Sequence, residues 1–516
     1  VYRVGSVSKL FTATAIMQLV EEGKVDLDKT IDHYIPGFTI KSHFDLPGPI
    51  TVRSLLTHES GLPSDYYYNF FFDNPPPDDY AKEYLNLPEQ IKDEYVATQP
   101  WYNFSYCNLG FSLLGNIITN VSGKDYSDYI AENILDPLGM SNSSVILDSR
   151  VKENMSLGYF GKKEVHTPYI RDLAAGSLLS SVSDISYFMK MIFSAGTYSE
   201  NTILQEDVLN SMFERQNGNV KLDLDFGIGI TYWLENPLKI ENIQPVSHGG
   251  DLPPYHAMFM VIPEYKLGAV ALSNSNSSAG AVRDVVVNIL QKALEAKAGI
   301  KITEQEDVEK EYLSLNHDQL NKYTGHYATP IGLLNFERKR NSIIARQSVI
   351  KVKLLPYKEN EFDIKIKALG IPVAKDDVKK INMKYQEVDD LELFAVNYEG
   401  SFIGYGQKIQ AVEIPKLWKN RIGKYEIANV NYEDYSKIAQ RFLMKSAAIK
   451  MDKKTGFLLV SLKMMGQSML MPLNPINDNE AVNFGIGRSM GETLRVIEKD
   501  GEEVIMYSGY ELKKIK

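Results

Sequence analysis

Arg3-Val4-Gly5-Ser6-Val7-Ser8-Lys9-Leu10-Phe11-Thr12-Ala13 is the stretch on which the reading of this 516-residue chain turns. A serine is followed three residues later by a lysine, and Leu10, Ala13, Ile16, Met17 and Val20 then recur at helical spacing. The pattern predicts a helix with Ser6 at or near its N-terminus and Lys9 one turn on, on the same face. That geometry suits a nucleophile. The ammonium can hold Ser6 and help remove its proton, and the free N–H groups of a helix start favour an oxyanion. The alternative is a plain helix N-cap. A Ser-x-x-Lys match recurs by chance in a chain this long; Ser348-Val349-Ile350-Lys351, in a strand-like run, is such a repeat.

Two further stretches carry chemistry. Pro100 to Gly115 places Tyr106 and Asn108 two apart, leading into a helix with small residues on one face. A phenol ordinarily titrates near 10. A neighbouring ammonium favours the phenolate, and a tyrosine so tuned can act as a general base. The bland alternative is a turn tyrosine followed by an Asn cap. Tyr67-Tyr68-Asn69 has the same spacing but leads into aromatic residues and reads as chance. The other stretch is Val246-Ser247-His248-Gly249-Gly250-Asp251, followed by apolar runs at 255–262 and 267–274 with a Pro263-Glu264-Tyr265-Lys266 turn between them. These predict antiparallel strands. Glycines beside a histidine let a substrate lie along a strand edge as an added strand.

Between these motifs, Pro49 to Pro63 reads as a capped helix ending in a glycine turn. His58 within it could be a base, but a structural histidine bonding the turn backbone is the simpler role. Residues 64–100 look like an insertion. Tyr66, Tyr67, Tyr68, Phe70, Phe71 and Phe72 suit local core first, then a lid over an apolar substrate or a subunit contact. Pro75-Pro76-Pro77 breaks any regular element there. Helices are predicted over 126–134, over 183–193 with Ser183 or Asp184 as cap, and over 279–296. Ala174 to Ser180 reads as a small-residue turn, and Phe226 to Ile230 as the start of the strands.

Net charge is 56 − 66 = −10, which argues against nucleic acid as the main partner. One cysteine, Cys107, excludes an internal disulfide and a multi-cysteine metal site. No run reaches the roughly 18 apolar residues that span a membrane, and no signal-peptide pattern is visible.

From about residue 315 helical periodicity gives way to short alternating segments, among them 343–355, 362–366, 457–462 and 494–497. Tyr323-Thr324-Gly325-His326-Tyr327 and Arg421-Ile422-Gly423-Lys424-Tyr425 start alike, 98 residues apart, which suggests a duplicated β unit. Gly485-Ile486-Gly487 lacks a βαβ context for nucleotide binding, and Lys454-Thr455-Gly456 reads as a hairpin turn. The expected organisation is a catalytic domain over 1–300, a charged linker over 301–315, and a β-rich region over 316–516 divisible into 316–415 and 416–516.

Ser6 with Lys9, Tyr106 with Asn108, and His248-Gly249-Gly250 follow in this order, the first residues 100 and 142 apart. Together they resemble the serine β-lactamase and penicillin-binding-protein superfamily, specifically its class C β-lactamase-like branch. Leu55 to Pro63, Phe226 to Gly229 and the strand ending in Leu272-Ser273-Asn274 are similar to that branch as well. The resemblance covers about residues 1–295, and the tail more loosely resembles a lipocalin-like barrel. It implies an α+β fold, an antiparallel sheet flanked by helices, followed by an all-β region.

For function the resemblance implies a serine hydrolase working through an acyl-enzyme. Peptidase or amidase action on D-amino-acid-containing peptides, with penicillin binding, comes first. A carboxylesterase comes second, and a non-catalytic binding protein on the same scaffold third. Ser6 would be the nucleophile, with Lys9 and Tyr106 sharing the proton transfers. Asn108 would orient Lys9 or the substrate, and His248, Gly249, Gly250 and Asp251 would line the substrate strand. The backbone N–H groups of Ser6 and Asp251 would hold the oxyanion. No metal or organic cofactor is implied, the partner is a small-molecule or peptide substrate, and a homo-oligomer is allowed. The resemblance favours an extracytoplasmic place. His248 stands where many β-lactamases carry a lysine, so looser carboxylate recognition is expected. In that branch about fifty residues precede the serine and supply strands; without them the sheet is expected to expose edges.

Overall fold

In a computed structural model the chain is described over residues 1–515, apart from 46–47, 74–78, 167, 223–226, 301–309, 348–349, 369–370, 373–379, 399–400, 436–439, 441–442 and 465–466. It divides into two compact units, Val1–Ile302 with Tyr432–Gln440, and Thr303–Asn431 with Arg441–Lys516. Most of the expected linker, the proline run, Phe226 and the Ser348 repeat lie outside the described residues.

The first unit is organised around the helix Ser8–Glu21, in which every residue from Ser8 to Leu19 is buried. Apolar or small residues lie all round it, so neighbours cover every face. The helix Asn108–Ser122 and the single turn Leu173–Gly176 pack against it, and the ring of Phe188, on the helix Val182–Phe193, meets that of Phe11 at a tilt, centroids 4.5 Å apart. Small residues permit the close approach: a Cβ on Gly115 would stand 3.1 Å from that of Ala174. The cap of Val182–Phe193 is Ser181, which accepts from Asp184 N, and not Ser183 or Asp184.

An antiparallel five-stranded sheet forms the next layer, in the order Leu267–Ser273, Tyr255–Ile262, Val246–Leu252, Trp233–Leu234, Gly227–Ile228. Side chains alternate between its faces. Val246, Ala257, Phe259 and Val261 join the core around the helix Ser8–Glu21. Met258, Met260 and Ile262 pack on Val282, Val286, Leu290 and Leu294 of the helix Ala279–Ala298. This is the expected sheet between helices, and the His-Gly-Gly motif lies within the central strand. No described helix is long and apolar enough to cross a membrane.

The aromatic run is local core. Tyr66, Phe70 and Phe71 are buried, Phe71 pairs with Ile170, and the Arg171 guanidinium lies over the rings of Tyr66 and Phe70. Nearby, the helix Val52–Leu56 is closed at its start by a reciprocal Thr51–Ser54 capping box. Just beyond it Glu59 is buried, with Thr57 as hydroxyl donor, and burial pushes its carboxyl up to about 7. The native state therefore keeps a proton that the unfolded chain releases above about 4.5, and stability falls as pH rises from there to about 7. The slope is on the order of 1 kcal/mol per pH unit. Glu59→Gln should melt above wild type at pH 8 and together with it at pH 4.5; coincident melts at both pH values would rule out the buried acid.

The second unit holds two closed eight-stranded antiparallel barrels, not one. In the first, strands 325–329, 332–338, 343–347, 350–358, 361–368, 381–388, 391–398 and 401–409 pair in succession, and the last returns to the first. In the second, 423–427, 446–451, 458–464, 467–475, 480–483, 493–499, 502–507 and 510–514 do the same. The 98-residue repeat is structural. Gly325 and Gly423 each open a first strand after a one-turn helix. Tyr327 Oη donates to Tyr323 O at 3.2 Å, and Tyr425 Oη to Arg421 O at 2.5 Å. Lys408 and Lys514, on the last strands, reach the carbonyls of Lys322 and Asn420 at 3.0 and 2.6 Å. Aromatic side chains fill the first barrel: Tyr323, Tyr327, Phe336, Phe362, Tyr385 and Phe394. Ala328 and Ile409 of the first barrel meet Phe457, Leu459 and Met490 of the second.

Candidate active site

Ser6 occupies a 3-10 turn, Gly5–Val7, that runs directly into the helix Ser8–Glu21. Its side chain makes no cap, so the N-cap alternative does not apply. The turn is pinned from both sides. Val4 N donates to Leu178 O, while Ser8 Oγ donates to Gly5 O at 2.6 Å and accepts from Leu178 N at 2.9 Å. Ser6 keeps partial exposure; Gly5 and Val7 are buried.

Lys9 is fully buried, and its Nζ donates to Ala175 O at 2.6 Å, Asn108 Oδ1 at 2.8 Å and Ser6 Oγ at 3.2 Å. The amine lies 4.9 Å from the Tyr106 ring centroid and 5.2 Å from that of Phe111. Asn108 is not the helix cap. Cys107 fills that position, its Sγ accepting from Gly110 N at 3.1 Å, which leaves the Asn108 amide for Lys9. Asn108 Nδ2 donates to Asp65 Oδ1 at 2.8 Å, so its oxygen is the atom facing the amine.

His58 packs on Tyr106 with the rings tilted by 33° and their centroids 4.3 Å apart. Its Nδ1 accepts from Cys107 N at 3.0 Å, and its carbonyl accepts from Ser105 N at 2.8 Å. It is a structural histidine, but the backbone it holds is the loop carrying Tyr106. Its φ of 61° is unusual for a residue with a Cβ and marks a position fixed by its surroundings.

The central strand lies against the turn Gly5–Val7 with almost no space between them. A Cβ on Gly250 would stand 1.9 Å from Val4 O and 3.2 Å from Ser6 N; one on Gly5, where φ is +53°, would stand 2.8 Å from Asp251 N. The amides of Ser6 and Asp251 are thereby brought to one locus. Gly249 is exposed, with only Met258 Sδ at 4.0 Å from a Cβ. The Asp251 side chain is 69% exposed and hydrogen-bonded to His256 on the neighbouring strand.

His248 is buried between Tyr106 and Trp233, at ring distances of 6.4 and 5.9 Å. Its Nδ1 meets Gly249 O at 2.6 Å, and since a carbonyl only accepts, Nδ1 carries the proton. Burial, with Lys9 nearby, drops its pKa to about 3, so the ring is neutral at ordinary pH. All eight residues singled out in the sequence thus converge. Asp65, Trp233 and the carbonyl of Ala175 join them unannounced, because none belongs to a spacing pattern. Arg171 and Asp172 lie beside them, both fully buried, with Arg171 Nε donating to Asp172 Oδ1 at 2.6 Å. Among the described residues no group of three or more His, Cys, Asp or Glu could hold a metal ion.

A helical layer carrying Ser6 and Lys9 against the middle strand of an antiparallel sheet defines the β-lactamase-like class of serine-hydrolase folds. The Beta-lactamase family profile matches residues 1–293, and the chain belongs to that family. It is 25% identical over 285 residues to Protein flp of Staphylococcus aureus (strain MRSA252), covering 54% of this chain and 53% of that one. It is also 25% identical over 210 residues to Penicillin-binding protein 4 of Amycolatopsis lactamdurans, covering 39% and 53%. The chain spans about half the length of these curated relatives. The solved structure of SurE shares the fold, with a TM-score of 0.55 at 19% identity over 79% of this chain and 87% of that one.

Proposed function

We propose that this protein is a serine hydrolase that forms an acyl-enzyme on Ser6, with amide bonds of D-amino-acid-containing peptides as first substrate class and penicillins as acylating agents. The observation that carries the reading is the three-way grip of Lys9 on Ser6 Oγ, Asn108 Oδ1 and Ala175 O beside the apposed amides of Ser6 and Asp251. Ser6 Oγ attacks the carbonyl carbon and its proton passes to the phenolate oxygen of Tyr106. The carbonyl oxygen becomes an oxyanion between two N–H donors, a pair commonly worth several kcal/mol in the transition state. The C–N bond then breaks and the leaving nitrogen takes the proton. Water, deprotonated through the same tyrosine, attacks the ester, releasing the acid and restoring Ser6.

His248 favours a second reading. A neutral, buried imidazole offers no cation to a substrate carboxylate, which suits a carboxylesterase acting on uncharged acyl esters. Rates on a p-nitrophenyl ester, a D-alanyl peptide and a chromogenic cephalosporin, each with intact-mass detection of the acyl-enzyme, separate the two. An acyl adduct from the ester alone would select the esterase. Absence of any adduct, including one from a fluorophosphonate, would reject the acyl-enzyme. In either case Tyr106→Phe should slow acylation about 100- to 10,000-fold with little change in melting temperature. Stopped-flow acylation at the wild-type rate would remove Tyr106 from the chemistry.

A further inference from the structure

The groups around Lys9 form a buried electrostatic assembly whose members come from five segments. Ser6 belongs to its own turn. Tyr106, Asn108 and Phe111 come from the helix Asn108–Ser122 and the loop before it. The turn Leu173–Gly176 supplies the Ala175 carbonyl, with Asp172 and Arg171 just ahead of it. His248 stands on the central strand, and Asp65 follows Pro63 and Ser64. His248 is neutral throughout the working range. Arg171 and Asp172 bond each other, and the remaining Arg171 nitrogens donate to Tyr66 O and Tyr68 O at 2.8 Å.

Asp65 is only 3% exposed and joins Lys9 through the Asn108 amide. Asp65 Oδ1 accepts from Asn108 Nδ2 at 2.8 Å, and Asn108 Oδ1 accepts from Lys9 Nζ at 2.8 Å. Asp65 Oδ2 accepts from Tyr67 Oη at 3.3 Å, which fixes the carboxylate from its other side. An amide held this way cannot rotate: its N–H end must face the anion and its oxygen the cation. With Ala175 O and Asn108 Oδ1 both obligate acceptors, two of the amine's protons are committed. Whether a third sits between Nζ and Ser6 Oγ decides which group takes the serine proton.

We infer that Asp65 is the counter-ion of Lys9, a positioning residue that acts through Asn108 to keep the amine charged and to leave Tyr106 as the base. The inference rests on the acyl-enzyme reading for its kinetic consequence and on geometry alone for its electrostatic one.

Removing the anion destabilises the ammonium. In Asp65→Asn, activity on a p-nitrophenyl ester should fall off at a lower pH on the alkaline side, by about one pH unit or more, while Asp65→Glu restores the wild-type limb. A residue needed only for packing would lower kcat at every pH and leave the limb in place. The second measurement does not depend on turnover. Carbon-13 labelling at lysine Cε, with Lys9 assigned by its absence in Lys9→Arg, follows the amine directly by NMR. Its titration should move down in Asp65→Asn and return in Asp65→Glu. A Lys9 titration unmoved by Asp65→Asn would overturn the inference, even in an active hydrolase. A titration that moves in a protein that acylates nothing would uphold the counter-ion and reject the acyl-enzyme instead.

Discussion

Ser6→Ala should lose covalent labelling by a fluorophosphonate or a penicillin completely and lose turnover by at least about a thousandfold. The size follows from the loss of the atom that forms the acyl bond in the proposed mechanism. Cys107, the one thiol of the chain, is buried with its sulfur bonded to Gly110 N and Pro63 O. The fold should survive. Ser6 is half-exposed, its hydroxyl caps no helix, and the turn is held by Val4, Ser8 and Leu178. Circular dichroism and melting should match wild type, and intact mass after incubation with each acyl donor should show no adduct. Wild-type hydrolysis by Ser6→Ala would overturn the mechanism as a whole.

Gly250→Ala should be nearly as damaging, for a geometric reason. The added methyl would stand 1.9 Å from the Val4 carbonyl oxygen, far inside contact distance, and Val4 O belongs to a backbone pinned on both sides. Strand and turn must separate by an ångström or more. The proposed oxyanion donors sit on the two backbones being forced apart, and losing one such donor costs about 100- to 1,000-fold in kcat. Overpacking should also remove about 1–3 kcal/mol of stability. Gly280→Ala, where a Cβ meets nothing within 4 Å, is the control and should change neither. A Gly250→Ala enzyme with normal kcat would mean that the apposed amides do not bind the developing charge.

Much of this was legible because local periodicity reports local geometry. The helical run after Ser6 fixed the side of the helix on which Lys9 falls, and the alternation after His248 identified strands. Periodicity does not fix phase at an element's end. Ser181, Ser183 and Asp184 are all competent caps, and only the structure selects Ser181. Asn108 looked like a cap for the same reason, while Cys107 holds that position. The run 343–355 read as one segment and is two strands, 343–347 and 350–358, with no glycine or proline between them to signal a break. Asp65 and Trp233 could not be read at all. The Asp65–Asn108 bond spans 43 residues, and nothing in the identities of intervening residues encodes it.

The closure of each barrel has a consequence for how such a chain can be assembled. Because the first and last strands are neighbours, at His326–Ile409 in one barrel and Tyr425–Lys514 in the other, the polypeptide enters and leaves each at one seam. A module whose ends meet can be copied in tandem, or taken out, without re-routing the chain on either side. The lysine that ties the last strand to the helix before the first sits on that seam in both copies. Each seam is thus closed twice, by the strand pairing and by one side-chain tie across it.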